Sequence, residues 1–446
     1  MIKIKTLWNY LFSTLWFLPT IIVIFSIILA IGLIAIKIDD DGQLLQQFRL
    51  FGSGSAEARI MLSTIAGSMM TIIGITFSMT IVALALASNQ YTSRILRNFM
   101  GDRLTQTVIG VFVGIFSYCL VVLCTIRSPE EGVFVPSLAV FFAFLLALVG
   151  VGILVFFIHH IASSMQASII LKSVADETFK AIDRIYPEKM RSNLIEKHTN
   201  LPNNETFDDF NWRVLFAEEN GYIQSINLSR LKRLAKNKDL IIRMEHKIGE
   251  FVIKNAPLAY IASGIMCDQE TIESIHFSFY FSPFRSIDED VAFGIRQLVD
   301  IALKALSPGI NDTTTAVMCL NYLTAILVQV VARKFTSSHH YEEEKLLIIT
   351  NERNFKSFLD ESFNEIRDNA KENITIILKL LESIQLIARQ TTSEDILQNL
   401  KKQSSWTEEM VRDNIKSSHN RETIKKRLLH TNSILEDQLA LYRRAF

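Results

Sequence analysis

The chain has 446 residues, 49% of them apolar, with 46 basic and 46 acidic side chains and a formal net charge of zero. Balanced charge removes the case for a nucleic-acid binder or for partners chosen by bulk electrostatics. The apolar excess lies almost wholly before His159, whereas the sequence after Lys172 reads as a charged globular protein, so the composition breaks near residue 165.

Crossing the hydrocarbon core takes roughly 20 apolar residues. Four segments qualify, Leu11–Ile36, Ile60–Ala87, Val108–Ile126 and Phe134–Ile158, and none contains a charged side chain. The first follows Lys3 and Lys5, but its apolar run outlasts the roughly 7–15 residues of a signal-peptide core and lacks a small-residue cleavage site. It is read as a retained helix, with Pro19 accepted as a local kink.

The second segment is the informative one. On a helix, Thr64, Gly67, Ser68, Thr71, Gly74, Ser78, Ala85 and Ser88 fall along one stripe, while Leu62, Met69, Ile72, Met79 and Leu86 lie away from it. In one reading Gly67-x-x-x-Thr71 and Gly74-x-x-x-Ser78 let helices approach closely. In the other the hydroxyls face water and line a pathway where several subunits meet around an axis. No Asp, Glu, His or Arg sits at mid-membrane depth, which argues against an ion-coupled transporter.

Below this helix, Ser88 to Arg103 mixes Arg, Tyr, Phe and amides in the manner of an interfacial elbow. Gln90, Arg94 and Arg97 are candidates for a cytoplasmic mouth that favours anions; the simpler reading has the arginines snorkelling to lipid phosphates. His159 and His160 end the fourth apolar segment. Adjacent helical residues point about 100° apart, so they do not form a metal site alone; they are candidates either for interfacial caps or for a pH-responsive switch. The helical pattern continues from Ile161 to Ile182 as a stalk. The Lys and Arg bias favours the N-terminal tail (Lys3, Lys5), the second loop (Arg94, Arg97, Arg103) and the segment after the fourth helix (Lys172, Lys180, Arg184) as inside, which places both termini in the cytoplasm of a multi-pass membrane protein.

From Tyr186 to Trp212 the composition is that of a linker. Gly221–Ile226, Leu240–Met244, Glu250–Ile253, Leu258–Ile261 and His276–Phe281 are short, β-branched and aromatic runs separated by turns, which suggests a small β-barrel. Helices are expected over Ile287–Leu306 and Thr313–Val331. They are separated by Ser307-Pro308-Gly309-Ile310-Asn311-Asp312, where Pro308 and Gly309 stop one helix and Asn311 or Asp312 caps the next. That cap could alternatively hold an anion on free amides and on the hydroxyls of Thr313, Thr314 and Thr315. From Asn354 onward the pattern is helical, broken near Gln390–Ser393 and Ser417–Asn420. Cys119, Cys124, Cys267 and Cys319 lack metal or redox spacing and read as free thiols. No phosphate loop, zincin motif, nucleophile elbow or kinase signature is present, so no catalytic, cofactor or metal residue is assigned.

Several runs carry a resemblance: Leu62-Ser63-Thr64-Ile65-Ala66-Gly67-Ser68-Met69-Met70, Thr76-Phe77-Ser78-Met79-Thr80, Val82-Ala83-Leu84, Arg94-Ile95-Leu96-Arg97, Phe157-Ile158-His159-His160-Ile161-Ala162 and Asp290-Val291-Ala292-Phe293-Gly294. The strongest are Leu298-Val299-Asp300-Ile301-Ala302 and Ala305-Leu306-Ser307-Pro308-Gly309-Ile310-Asn311-Asp312. Together the sequence resembles a bacterial family of predicted membrane proteins, domain of unknown function 2254. Ser93 and Thr313 stand where that family commonly has proline, which loosens a turn without removing a reactive group. The resemblance implies an inner-membrane location and this order of domains, and it implies no activity.

The expected fold is an α-helical membrane domain of four transmembrane helices (residues 1–164), a helical stalk and linker (165–210), a small β-barrel-like domain (211–285) and a C-terminal helical bundle (286–446), the last three making up a cytoplasmic α+β part. The expected function is a homo-oligomeric, channel-like pore for a small ion in the lipid bilayer, with a regulatory cytoplasmic domain. The alternative is a membrane-anchored sensor or scaffold that conducts nothing.

Overall fold

The computed structural model describes residues 16–36, 55–90, 102–127, 134–188, 211–263, 268–335, 337–342 and 345–445. The chain folds into two compact units, Met1–Ile169 and Ile170–Phe446.

The first unit is helical: α1 (Phe17–Ala35), α2 (Ser55–Gln90), α3 (Arg103–Thr125) and α4 (Ser137–Ser164). Each is long and apolar enough to cross a membrane. At 36 residues α2 extends about 54 Å at 1.5 Å per residue, well beyond a hydrocarbon core of roughly 30 Å. The helix α3 is the hub, packing against α1, α2 and α4. Its Phe112, Ile115, Tyr118, Cys119 and Val122 are buried with Leu62, Ala66 and Met69 of α2 and with Ala139, Val140 and Ala143 of α4. The buried Tyr118 hydroxyl donates to the Ala139 carbonyl at 2.9 Å, which satisfies its polar end inside an otherwise apolar interface.

Glycine decides how α1 sits on α3. A Cβ built on Gly110 would come within 2.7 Å of Ile22 Cδ1 and 2.9 Å of Pro19 Cα, and one built on Gly114 within 2.6 Å of Ser26 Oγ. The two backbones approach because neither position carries a side chain.

The expected continuous stalk is interrupted. The helix α4 ends at Ser164, Met165 and Gln166 form a turn, and α5 (Ala167–Ile185) starts anew.

The second unit is α+β, and among its described residues there is no closed barrel, which corrects the barrel expected for 211–285. Its strands form two open sheets. One has the order β1-β5-β3-β8-β7, from β1 (Trp212–Phe216), β5 (Pro257–Ser263), β3 (Leu240–Met244), β8 (Lys345–Ile349) and β7 (His339–Glu342). The other has the order β4-β2-β6, from β4 (Phe251–Val252), β2 (Gly221–Ile226) and β6 (Phe279–Ser282). The physical reason is α6 (Leu228–Lys238), which separates β2 from β3. Asn227 caps it by accepting from the Arg230 amide at 3.0 Å, and Leu231 and Ala235 are buried in the core beside Ile242 and Leu347. With a helix between them, β2 and β3 enter different sheets.

Closure of the larger sheet is also replaced by a late addition. The strand β8 pairs parallel to β3, with Ile242 opposite Ile348. Residues expected to lie in a purely helical domain therefore complete the sheet, and the boundary expected at 285/286 is crossed by it. His276, expected at the start of a strand, instead ends α7 (Gln269–His276).

The remaining helices are α8 (Val291–Leu306), α9 (Thr313–Val331), α10 (Phe355–Ala370), α11 (Ile374–Ala388), α12 (Glu394–Asn414) and α13 (Ser418–Ala445). By length and composition α9 is a fifth candidate span, which the sequence count of four did not include. A helix apolar on most sides must be covered by protein or by lipid. Here α8, α10 and α11 pack on it, and Leu320, Leu323, Ile326 and Leu327 are fully buried.

Candidate functional site

The site expected from the sequence is the hydroxyl and glycine stripe of α2. Thr64, Gly67, Ser68, Thr71, Gly74 and Ser78 are all exposed, while Ala58, Leu62, Ala66, Met69, Thr76 and Ala83 are buried on the opposite side. Among the described residues of the protomer, the stripe is therefore not a packing face. A Cβ added to Gly67 or Gly74 would meet none of them within 4 Å. The hydroxyls are held close to their own helix: Thr64 Oγ1 donates to the Ile60 carbonyl at 2.8 Å, and Thr71 Oγ1 to the Gly67 carbonyl at 3.1 Å. Such back-bonding satisfies the hydroxyl proton in an apolar surrounding and leaves its oxygen free to accept.

Gln90 is the last described residue of α2. Arg94 and Arg97, the other candidates for a cytoplasmic mouth, lie outside the described residues.

The two histidines separate in role. His159 is exposed, whereas His160 Nε2 lies 3.0 Å from Asp102 Oδ2. Asp102 is the N-cap of α3, accepting from the Leu104 and Thr105 amides at 3.2 Å each and from Thr105 Oγ1 at 2.7 Å. Burial pushes the Asp102 carboxyl upward, but hydrogen bonds from Thr105, His160 and the two amides outweigh it and hold the carboxyl below the usual range. Phe156 stacks on the His160 ring with centroids 6.4 Å apart, and Ser164 Oγ donates to the His160 carbonyl at 2.7 Å. The Asp102–His160 contact locks the start of α3 to the end of α4. It has no signal in the sequence beyond Asp immediately before an apolar helix, which marks a cap, because the two residues lie far apart in the chain.

The loop Pro308-Gly309-Ile310-Asn311-Asp312 is exposed throughout. Asn311 takes the left-handed region at φ 48°, and its amide bonds the Ser307 carbonyl at 2.9 Å. Asp312 accepts from the Thr315 amide at 3.0 Å and also from Thr315 Oγ1 and the Thr314 amide, and these bonds hold its carboxyl below the ordinary range. The amides an external anion would need are thus engaged by an internal carboxylate, whose charge repels one. Among the described residues no three His, Cys, Asp or Glu side chains converge in a way that could hold a metal.

The family model described as "Predicted membrane protein (DUF2254)" matches residues 13–385. Similar curated proteins are an uncharacterized protein of Mycobacterium bovis and one of Mycobacterium tuberculosis, each 28% identical over 401 residues, covering 86% of this chain and 74% of the relative. No solved structure matches the chain significantly.

Proposed function

The chain belongs to the DUF2254 family of predicted membrane proteins, and from that premise we propose that it is a homo-oligomeric, channel-like protein of the bacterial inner membrane. In this reading α1 to α4 cross the bilayer, α9 stays in the core of the second unit, both termini are cytoplasmic, and the second unit regulates the pore. The observation that carries the proposal is the exposure of the whole described stripe on α2, with its opposite face buried against the rest of the first unit. The stripe also carries the exposed side chains of Ile75 and Val82; its glycines and hydroxyls gain nothing from facing lipid, whereas facing sister copies they permit close approach and offer acceptor oxygens to water or an ion. A closed ring of copies is the economical way to obtain a pathway from few helices per chain.

The absence of charge along α2 between Arg59 and Gln90 fits passive conduction rather than coupled transport. Purified protein in liposomes is expected to release a small ion, and Thr71→Leu or Ser78→Leu is expected to lower that flux at least about tenfold while leaving the protomer folded. A well-folded oligomer with no flux above empty liposomes sinks the conduction reading. It leaves the second one, a membrane-anchored sensor or scaffold, which is favoured by a cleft beside β1 in the second unit.

A further inference from the structure

The second unit contains a cleft of about 410 Å³ where the exposed edge strand β1 meets α7 and the turn that follows β4. That volume lies in the range of small-molecule sites, roughly 300–1,000 Å³. Its walls are set by fixed backbone. Arg213 lies opposite Ile261 across the β1–β5 pair, so with Leu215 it rises from the sheet side that α7 covers. On α7, Ile272 and His276 stand one turn apart and present the same face. The turn bearing Lys254 is pinned three times: the Asn255 amide to the Ala217 carbonyl at 2.8 Å, the Ala217 amide to the Ala256 carbonyl at 2.9 Å, and the Lys254 amide to Asn220 Oδ1 at 2.8 Å.

The chemistry of the cleft is divided. Leu215, at 5% exposure, and Ile261, at 2%, form an apolar floor with Ile272. Arg213 and Lys254, both exposed, bring two basic side chains to the rim. Glu218, which sits 3.6 Å from His276, is the acid on the rim, so two basic side chains face one acidic one there. A guanidinium and an ammonium beside an apolar floor match a molecule with an anionic head and an apolar body.

We propose that this cleft binds a small water-soluble anion of the carboxylate or phosphate-monoester class that carries an apolar body. Its head lies between Arg213 and Lys254, and its body lies on Leu215, Ile261 and Ile272. Binding needs no conduction, so failure here leaves the pore reading standing, and failure of the pore reading leaves this site standing.

The test uses the full chain in nanodiscs of zwitterionic lipid, titrated calorimetrically with phenyl phosphate, with inorganic phosphate and phenol as the head-only and body-only probes. Saturable binding of phenyl phosphate at one site per protomer is expected, at least about tenfold tighter than either control. Arg213→Gln and Lys254→Gln should each weaken it about tenfold, and Ile272→Asp should weaken phenyl phosphate more than inorganic phosphate. The ligand-free melting temperature of the two charge variants checks that they remain folded, since both side chains are at the rim. Absence of saturable phenyl phosphate binding overturns the proposal. So does binding that survives the Arg213→Gln/Lys254→Gln double variant unchanged, or phenyl phosphate binding no tighter than inorganic phosphate.

Discussion

Helices α2 and α3 both place glycines on one face, and they use them in opposite ways. On α3, Gly110 and Gly114 are filled positions: the backbone and side chains of α1 occupy the space a Cβ would need. On α2, Gly67 and Gly74 open onto none of the described residues of the protomer. The same residue type, spaced by seven residues on α2 and by four on α3 so that each pair shares a face, thus marks an open surface in one helix and an interface already made in the other. Small residues report the permission for close approach, and the surrounding chain decides whether it is taken.

The contrast can be broken most forcefully at α3. Gly110→Leu should destabilise the first unit by about 1–3 kcal/mol through overpacking, because Pro19 Cα is backbone and cannot swing aside. Thermal unfolding in detergent measures this, and an unchanged midpoint would show that α1 does not hold the position described.

A smaller effect is expected at the junction of α3 and α4. Asp102→Ala removes the cap of α3 and the partner of His160, at about 0.5–2 kcal/mol. The sign of its pH dependence follows from the depressed carboxyl. The native state binds the Asp102 proton less readily than the unfolded chain, so its contribution is whole at neutral pH. It fades as the pH falls below about 4. The wild-type protein should lose stability over that acid range more steeply than the Asp102→Ala variant, and parallel acid titrations would contradict the assignment.

The smallest effect on the protomer sharpens the comparison most. Gly67→Leu should move the melting temperature of the detergent-solubilised protomer hardly at all, within about 0.5 kcal/mol, as for exposed substitutions elsewhere. Cross-linking or native mass measurement should nonetheless show a reduced oligomer population. An oligomer that tolerates leucine there would mean the α2 stripe faces lipid.

Much of the first unit was legible because crossing a bilayer constrains length and polarity together, so apolar segments announce themselves. The stripe on α2 was legible from helical spacing. The pairing of Gly110 and Gly114 with α1 was present as a small-x-x-x-small pattern, but such a pattern does not name its partner helix. In the second unit, short apolar runs located β2 to β5 closely and began β6 three residues early, inside α7, and they said nothing about order. That order depends on α6, whose Leu231 and Ala235 lie among charged residues, and on a parallel pairing between Ile242 and Ile348. The edge strand β7, His339–Glu342, is polar and charged, as exposed sheet edges tend to be, and carries no alternating apolar pattern that would mark a strand. The Asp102–His160 contact and the cleft beside β1 are both products of tertiary approach, and neither has a local signature.

The packing of α9 sets a demand on the order of events during synthesis. Its covering helices α10 and α11 follow it in the chain, so when Thr313–Val331 leaves the ribosome, Phe355–Ala388 has not yet emerged. At about 5–20 residues per second the segment waits some seconds with only α8 to shelter it. During that interval an insertion machine could accept it as another span. A fifth crossing would carry α10 to α13 to the side of the bilayer opposite β1 to β6, and the sheet could no longer receive β8.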